Sequence, residues 1–169
     1  MTISMFDASI PVLLRGLRNL DGVLAKAEAH AEARKIDPAV LIGARLFPDM
    51  FPLARQVQIC ADMAKGGAAR LAGVEVPKYE DTETTFSELR ARIANTMDFI
   101  GTLTRGQIDG SETRAIELLM RAGTLHFKGQ AYLLEFVLPN FYFHSTTTYA
   151  ILRHNGIELG KGDFLGPLS

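Results

Sequence analysis

Apolar residues recur along much of the chain in alternating steps of four and three. Phe6, Ile10, Leu13, Leu17, Leu20, Leu24, Ala27 and Ala31 keep this rhythm, which paints one stripe of a helix and suits a seam between packed helices. Pro11 lacks a backbone donor, so the spacing predicts a bent first turn or a regular start near Ser9. Asp37-Pro38 reads as an N-cap followed by proline at the first helical position, enough for a short helix to about Leu41. Beyond Pro48-Asp49-Met50-Phe51-Pro52, the residues Leu53, Val57, Cys60, Ala64, Gly67 and Leu71 repeat the spacing, and Gly73 supplies a stop. The small residues Ala64, Gly67, Ala68 and Ala72 permit a close helix approach.

Val74 to Asp81, with Pro77, reads as a connector. Thr85-Phe86-Ser87-Glu88 fits a capping box, and Phe86, Leu89, Ile93, Met97, Ile100 and Leu103 give a third amphipathic helix ended by Gly106 and Gly110. The helical rhythm then breaks. Ala115 to Met120 and Thr124 to Lys128 flank Arg121-Ala122-Gly123, the pattern of a β-hairpin over about residues 114–128. A last helical region runs from about Gln130 to Asn155, interrupted or kinked at Pro139 and closed by Gly156. Residues 157–169 are rich in turn formers yet carry Ile157, Leu159, Phe164 and Leu165, which predicts an ordered, extended flap. The fold class expected is mainly α: one domain over 1–169, an up-down four-helix bundle with a short β-hairpin inserted before the last helix.

The last helix carries the candidate chemistry. Asn140, His144 and Thr148 stand at i, i+4 and i+8, a polar ladder on one face among Phe141, Tyr142, Tyr149, Ile151 and Leu152. Such a ladder is either a hydrogen-bonded core feature or the wall of a site. Gln56 and Gln58 on the second long helix are the plausible partners for His144, and Gln56 borders the apolar stripe there. The other histidines read otherwise: His30 as solvated, His126 on the polar side of a strand, His154 in a last helical turn where a cation suits the carbonyl ends. No two histidines are four apart, and no Glu-x-x-His occurs. Gly156 to Gly162 has the wrong spacing for a phosphate loop. Cys60 has no basic sequence neighbour and reads as an inert buried thiol.

Composition narrows the function classes. A chain of 169 residues buries roughly 70% of its unfolded surface, enough for a real core. A net charge of -1 with no Lys/Arg stripe argues against nucleic acid or an anionic membrane as partner. One cysteine excludes an intrachain disulfide. With no signal-peptide pattern at the N-terminus and no apolar run of about 20 residues, a cytoplasmic protein is expected.

Three segments carry a family resemblance: Leu46-Phe47-Pro48-Asp49-Met50-Phe51-Pro52-Leu53, Leu138 to Gly156, and Gly160-Lys161-Gly162-Asp163-Phe164-Leu165-Gly166. Through them the chain resembles a bacterial domain-of-unknown-function family of the DinB/YfiT-like superfamily. The resemblance implies an up-down four-helix bundle, commonly dimeric. It also implies, in better-understood relatives, a divalent metal held by one histidine of the second helix and a His-x-x-x-His pair on the last. Carried over, His144 matches the second histidine of that pair, Asn140 stands at the first, and Gln56 is the nominee on the second helix.

Two of three ligands are thus replaced. The expectation is a degenerate metal site, with no cofactor and His144 the one candidate metal ligand. A small molecule would bind an inter-helix cleft through Gln56, Asn140, His144 and Thr148. A metal-dependent transferase with an atypical shell and a non-catalytic structural dimer are the alternatives, so catalysis is left open. The apolar runs Phe141 to Phe143 and Leu159 to Leu165 exceed what one thin core must bury, which predicts a homodimer.

Overall fold

The structure, a computed structural model, describes residues 3–120 and 123–167. Its first helix, α1 (Met5–Arg34), starts at the Ser4 cap rather than near Ser9, and Pro11 lies inside it. The Ser4 hydroxyl accepts from the Asp7 N–H at 3.2 Å, which secures the first turn ahead of the proline. Asp37 caps α2 (Pro38–Ile42), as its sequence implied. Then come α3 (Leu53–Ala72), closed by Gly73 at φ 73°, and α4 (Phe86–Gly101), opened by the Thr85/Glu88 capping box.

Helix α4 ends before Gly106, and a short α5 (Arg105–Ile108) follows that the apolar spacing had merged with it. The strands β1 (Ala115–Met120) and β2 (Gly123–Lys128) pair antiparallel, from Ala115 opposite Lys128 to Met120 opposite Gly123. Arg121 and Ala122, expected in the turn, lie outside the described residues. Ile116 and Leu118 face the core, whereas Leu119 is exposed.

The final helical region begins at α6 (Gly129–Ala131), widens into a π-helical stretch over Tyr132–Val137, and continues as α7 (Leu138–His154). Pro139 therefore sits in the first turn of α7, directly after the widened turn. There its missing donor costs little. The tail is not simply extended: α8 (Lys161–Leu165) forms within it and packs on α1. Ile157 and Leu159 are buried, while Leu165 stays partly exposed.

The structure is thus mainly helical with one two-stranded antiparallel hairpin. Helix α1 packs on α4 and α7, and α3 packs on the same two. The core fills the space between them, with Leu13, Leu17, Leu24, Leu53, Leu71, Leu89, Ile93 and Phe141 all out of contact with solvent. Among the described residues no helix is long and apolar enough to cross a membrane.

Two glycines set how near α7 comes. A Cβ on Gly67 would lie 2.6 Å from Cγ1 of Val137, and one on Gly16 would run into the Phe141 ring. By contrast, nothing surrounds a Cβ built on Gly22 of α1. Gly22→Ala should therefore stabilise the fold by about 0.5–1 kcal/mol through helix propensity. Gly67→Ala should destabilise it by about 1–3 kcal/mol, because the β-branched Val137 cannot rotate away. Urea midpoints of the two variants check the opposite signs.

Candidate functional site

The α3–α7 seam brings Gln56 and His144 together. The segment before α3 prepares Gln56: the Leu53 N–H donates to the Ala44 carbonyl at 2.9 Å, which folds residues 45–52 into a closed loop. From that loop the Phe51 carbonyl accepts from the Gln56 side-chain N–H at 3.0 Å. The amide oxygen of Gln56 then meets Nδ1 of His144 at 2.7 Å. Reversing the amide would set its oxygen against the Phe51 carbonyl, so Gln56 presents an acceptor and Nδ1 must carry the proton. The lone pair of the ring is thereby left on Nε2, which has no partner among the described residues.

His144 is 8% exposed, and burial and then the charge of Arg55 push its pKa below the usual 6.5. Both effects disfavour the imidazolium. The ring is neutral at pH 7 and held in one tautomer.

The other two rungs of the ladder turn back on their own helix. The Asn140 side-chain N–H donates to the Phe136 carbonyl at 2.7 Å, and the Thr148 hydroxyl donates to the His144 carbonyl at 2.9 Å. Thr147 does the same to Phe143 at 2.7 Å. The i, i+4 pattern on α7 is therefore in large part backbone satisfaction by short polar side chains. Of the four candidate residues, the fold joins Gln56 to His144 and leaves Asn140 and Thr148 bonded along α7. Gln58, the second candidate partner, faces Glu83 instead at 2.9 Å. One turn along the seam, Cys60 is fully buried, its thiol pushed far up by desolvation and donating to the Phe141 carbonyl at 3.6 Å.

Beside this seam lies an open groove of about 540 Å³ whose wall includes Leu46, Met50, Pro139, Tyr142 and Phe143. Phe143 is 57% exposed and Phe47, in the neighbouring loop, 63%. The Phe143 ring meets the His144 ring edge-on, with centroids 5.2 Å apart.

A charged cluster on the other side of α3 was not anticipated. Arg92 of α4 is 3% exposed and bonds Asp62, Asp81 and Glu83, each at 2.9 Å, and the Glu80 carbonyl at 3.1 Å. Lys65, also buried, pairs with Asp62 at 3.1 Å and lies 3.8 Å over the Tyr79 ring. Arg55 bonds both Gln58 and Asp81, linking this cluster to the residue that precedes Gln56. The cluster fastens the connector between α3 and α4 to both helices. Its sequence signal was available: Arg92 falls between Leu89, Ile93 and Thr96 on the inward face of α4, where a charge must be paired.

The fold and this seam define a helical protein of the DinB-like superfamily. The model of a domain of unknown function, DUF1993, matches residues 5–165, and the chain belongs to that family. It is similar to the crystal structure of a DinB family member protein from Shewanella denitrificans, with 40% identity, 96% of this chain and 92% of that chain covered, and a TM-score of 0.88. No protein of curated function matches.

The metal implied by the superfamily does not fit the residues present. Among the described residues no three His, Cys, Asp or Glu side chains come together to hold an ion. At the matched positions the Gln56 oxygen is engaged by the His144 N–H, and the Asn140 amide is tied to Phe136. Nε2 of His144 and the Asn140 amide oxygen remain, fewer than the three protein ligands of typical catalytic zinc sites.

Two predictions follow from these contacts. His144→Ala should cost about 1–3 kcal/mol by orphaning the Gln56 oxygen, and His144→Gln should cost less. Because the folded-state pKa of His144 lies below 6.5, the unfolded chain takes up the proton first on acidification. Stability from this group is thus complete above pH 6.5 and is lost as pH falls through the lower folded value. Denaturant titrations across that window should show this slope in the wild type and not in His144→Gln.

The Arg92 cluster titrates lower. Burial pushes the Glu83 carboxyl up, but the bonds from Arg92 and Gln58 outweigh burial and hold it below 4.5. Its contribution is present above pH 4.5 and lost as pH falls through the folded value, so Glu83→Gln should flatten the acid limb there. Arg92→Ala leaves the largely buried Glu83 without a cation while Asp62 keeps Lys65 and Asp81 keeps Arg55, and should cost about 3 kcal/mol by chemical denaturation.

Proposed function

We propose that the chain is a small-molecule-binding member of its family that works without a metal. In this reading the four long helices form an up-and-down bundle, and a ligand is taken at the α3–α7 seam by Nε2 of His144. One observation carries the proposal: the hydrogen bond from Nδ1 of His144 to Gln56. It orients the ring, fixes its tautomer and leaves Nε2 as an acceptor. Asn140, one turn earlier, spends its N–H on the backbone and keeps its oxygen. Two acceptors one turn apart suit a ligand that offers N–H or O–H groups, and the apolar groove lined by the residues that precede them on α7, Pro139 and Phe143, suits a flat apolar body. Gln56 and Thr148 then act as supports behind the contact.

The test uses tag-free, ¹⁵N-labelled protein and its imidazole nitrogen resonances. Nε2 of His144 is expected to be unprotonated at pH 7 and to shift on titration with phenol, a donor on a flat ring. His144→Gln should abolish the response. Stoichiometric zinc in the purified protein, lost on His144→Ala, would overturn the reading in favour of a metal-dependent transferase.

A homodimer is a second reading, supported by the exposed Leu46, Tyr142 and Phe143, which line one groove, and by the exposed Phe47 and Phe51 in the loop that carries Leu46. That groove has no charged residue in its lining. A second copy can therefore meet it across a two-fold axis without like-charge repulsion. Sedimentation at micromolar concentration should give a dimer for the wild type and a monomer for Phe143→Asp; a monomeric wild type would refute it.

A further inference from the structure

A second recess lies on the α1 side of α7 and does not depend on the His144 reading. Between α1, α7 and α8 is a half-enclosed cavity of about 290 Å³ whose wall carries Arg15, Asn19, Tyr142, Ser145, Phe164 and Leu165. Its outer rim is the tail. Nη2 of Arg15 donates to the carbonyls of Leu165 at 3.1 Å and Pro167 at 3.2 Å, and the Asn19 amide donates to that of Phe164 at 3.0 Å. Asp163 adds an ion pair to Lys26 at 2.6 Å.

These bonds use one end of the Arg15 guanidinium. The N–H groups on Nε and Nη1 have no partner among the described residues, and no carboxylate there pairs with Arg15. Ser145 is 5% exposed, and its hydroxyl is likewise without a partner among the described residues. That is unlike Thr147 and Thr148 beside it, which bond back to their own helix. The carbonyl Ser145 would use, that of Phe141, already accepts from Cys60. Burial pushes the Tyr142 phenol up, with the Arg15 charge opposing, so at neutral pH it remains a donor. A fixed cation and two hydroxyls thus share a small recess with the Phe164 and Leu165 side chains, and no acidic residue lines it.

We propose that this cavity is a binding site for a small organic oxyanion, its charged head held by Arg15, Tyr142 and Ser145 and its apolar body lying against Phe164 and Leu165. An oxyanion matches the planar fork of Arg15 and accepts from both hydroxyls. The volume lies just under the roughly 300–1,000 Å³ usual for ligand clefts, which limits the body to about one ring.

The test titrates the full chain with benzoate, phenyl phosphate and the neutral benzyl alcohol, following the backbone amides of Gly16, Ser145 and Phe164 by NMR. Benzoate or phenyl phosphate should bind, the tighter of the two identifying the head group, with benzyl alcohol weaker by about tenfold or more. Arg15→Gln and Ser145→Ala should each weaken the anion by about tenfold. Ser145→Ala leaves the latch of the tail intact, so its loss of binding cannot be ascribed to a displaced α8. Three results would overturn the proposal: no response to any probe up to about 10 mM, equal binding of benzyl alcohol and benzoate, or unchanged binding by Ser145→Ala.

Discussion

The close approach of α7 to α3 is the constraint on which the rest of the molecule depends. Gly67 leaves room for Val137, and on the neighbouring face Gly16 of α1 leaves room for Phe141. With α7 wedged between them, the backbone carbonyl of Phe141 comes within reach of Cys60. Most of the His144 ring is buried in this seam, so its Nδ1 finds a partner in the protein, and Gln56 is that partner. The tautomer of the ring is thus a consequence of helix packing, relayed through one amide and one loop carbonyl.

The same logic explains the charged cluster under the α3–α4 connector. Arg92 and Lys65 sit on inward faces, where an unpaired charge would be prohibitive, and the connector returns Asp81 and Glu83 over them while α3 supplies Asp62. A connector with little apolar surface of its own is held by ion pairs in place of burial. Arg55 joins this cluster to the seam, and its charge adds to burial in keeping His144 neutral.

Helix α7 divides its polar side chains between two tasks. Asn140, Thr147 and Thr148 satisfy carbonyls of their own helix, which suits a stretch that starts beside Pro139 and a π-helical turn. His144 and Ser145 instead turn outward from the helix, the first to Gln56 and the second to the cavity against α1. Consecutive residues on a helix point about 100° apart, so adjacent positions serve different neighbours.

Periodicity and local capping signals determined the long helices, the caps at Asp37 of the short α2 and Thr85 of α4, the stop at Gly73 and the hairpin, because these rest on local sterics and on which face is apolar. Periodicity also singled out Gln56 and His144, since a polar residue on an apolar stripe calls for a partner. What it left undecided were matters of packing between segments distant in sequence. Whether Asn140 and Thr148 face a partner or their own backbone depends on how near α3 comes. The start of α1 ahead of Pro11 depends on the Ser4 cap, and the helical tail on its contacts with α1. Arg92 was legible as an inward charge, but its three carboxylates come from two other segments, and only the tertiary fold brings them there. Pairing across such distances leaves no local trace, because each partner taken alone reads as an ordinary solvated acid.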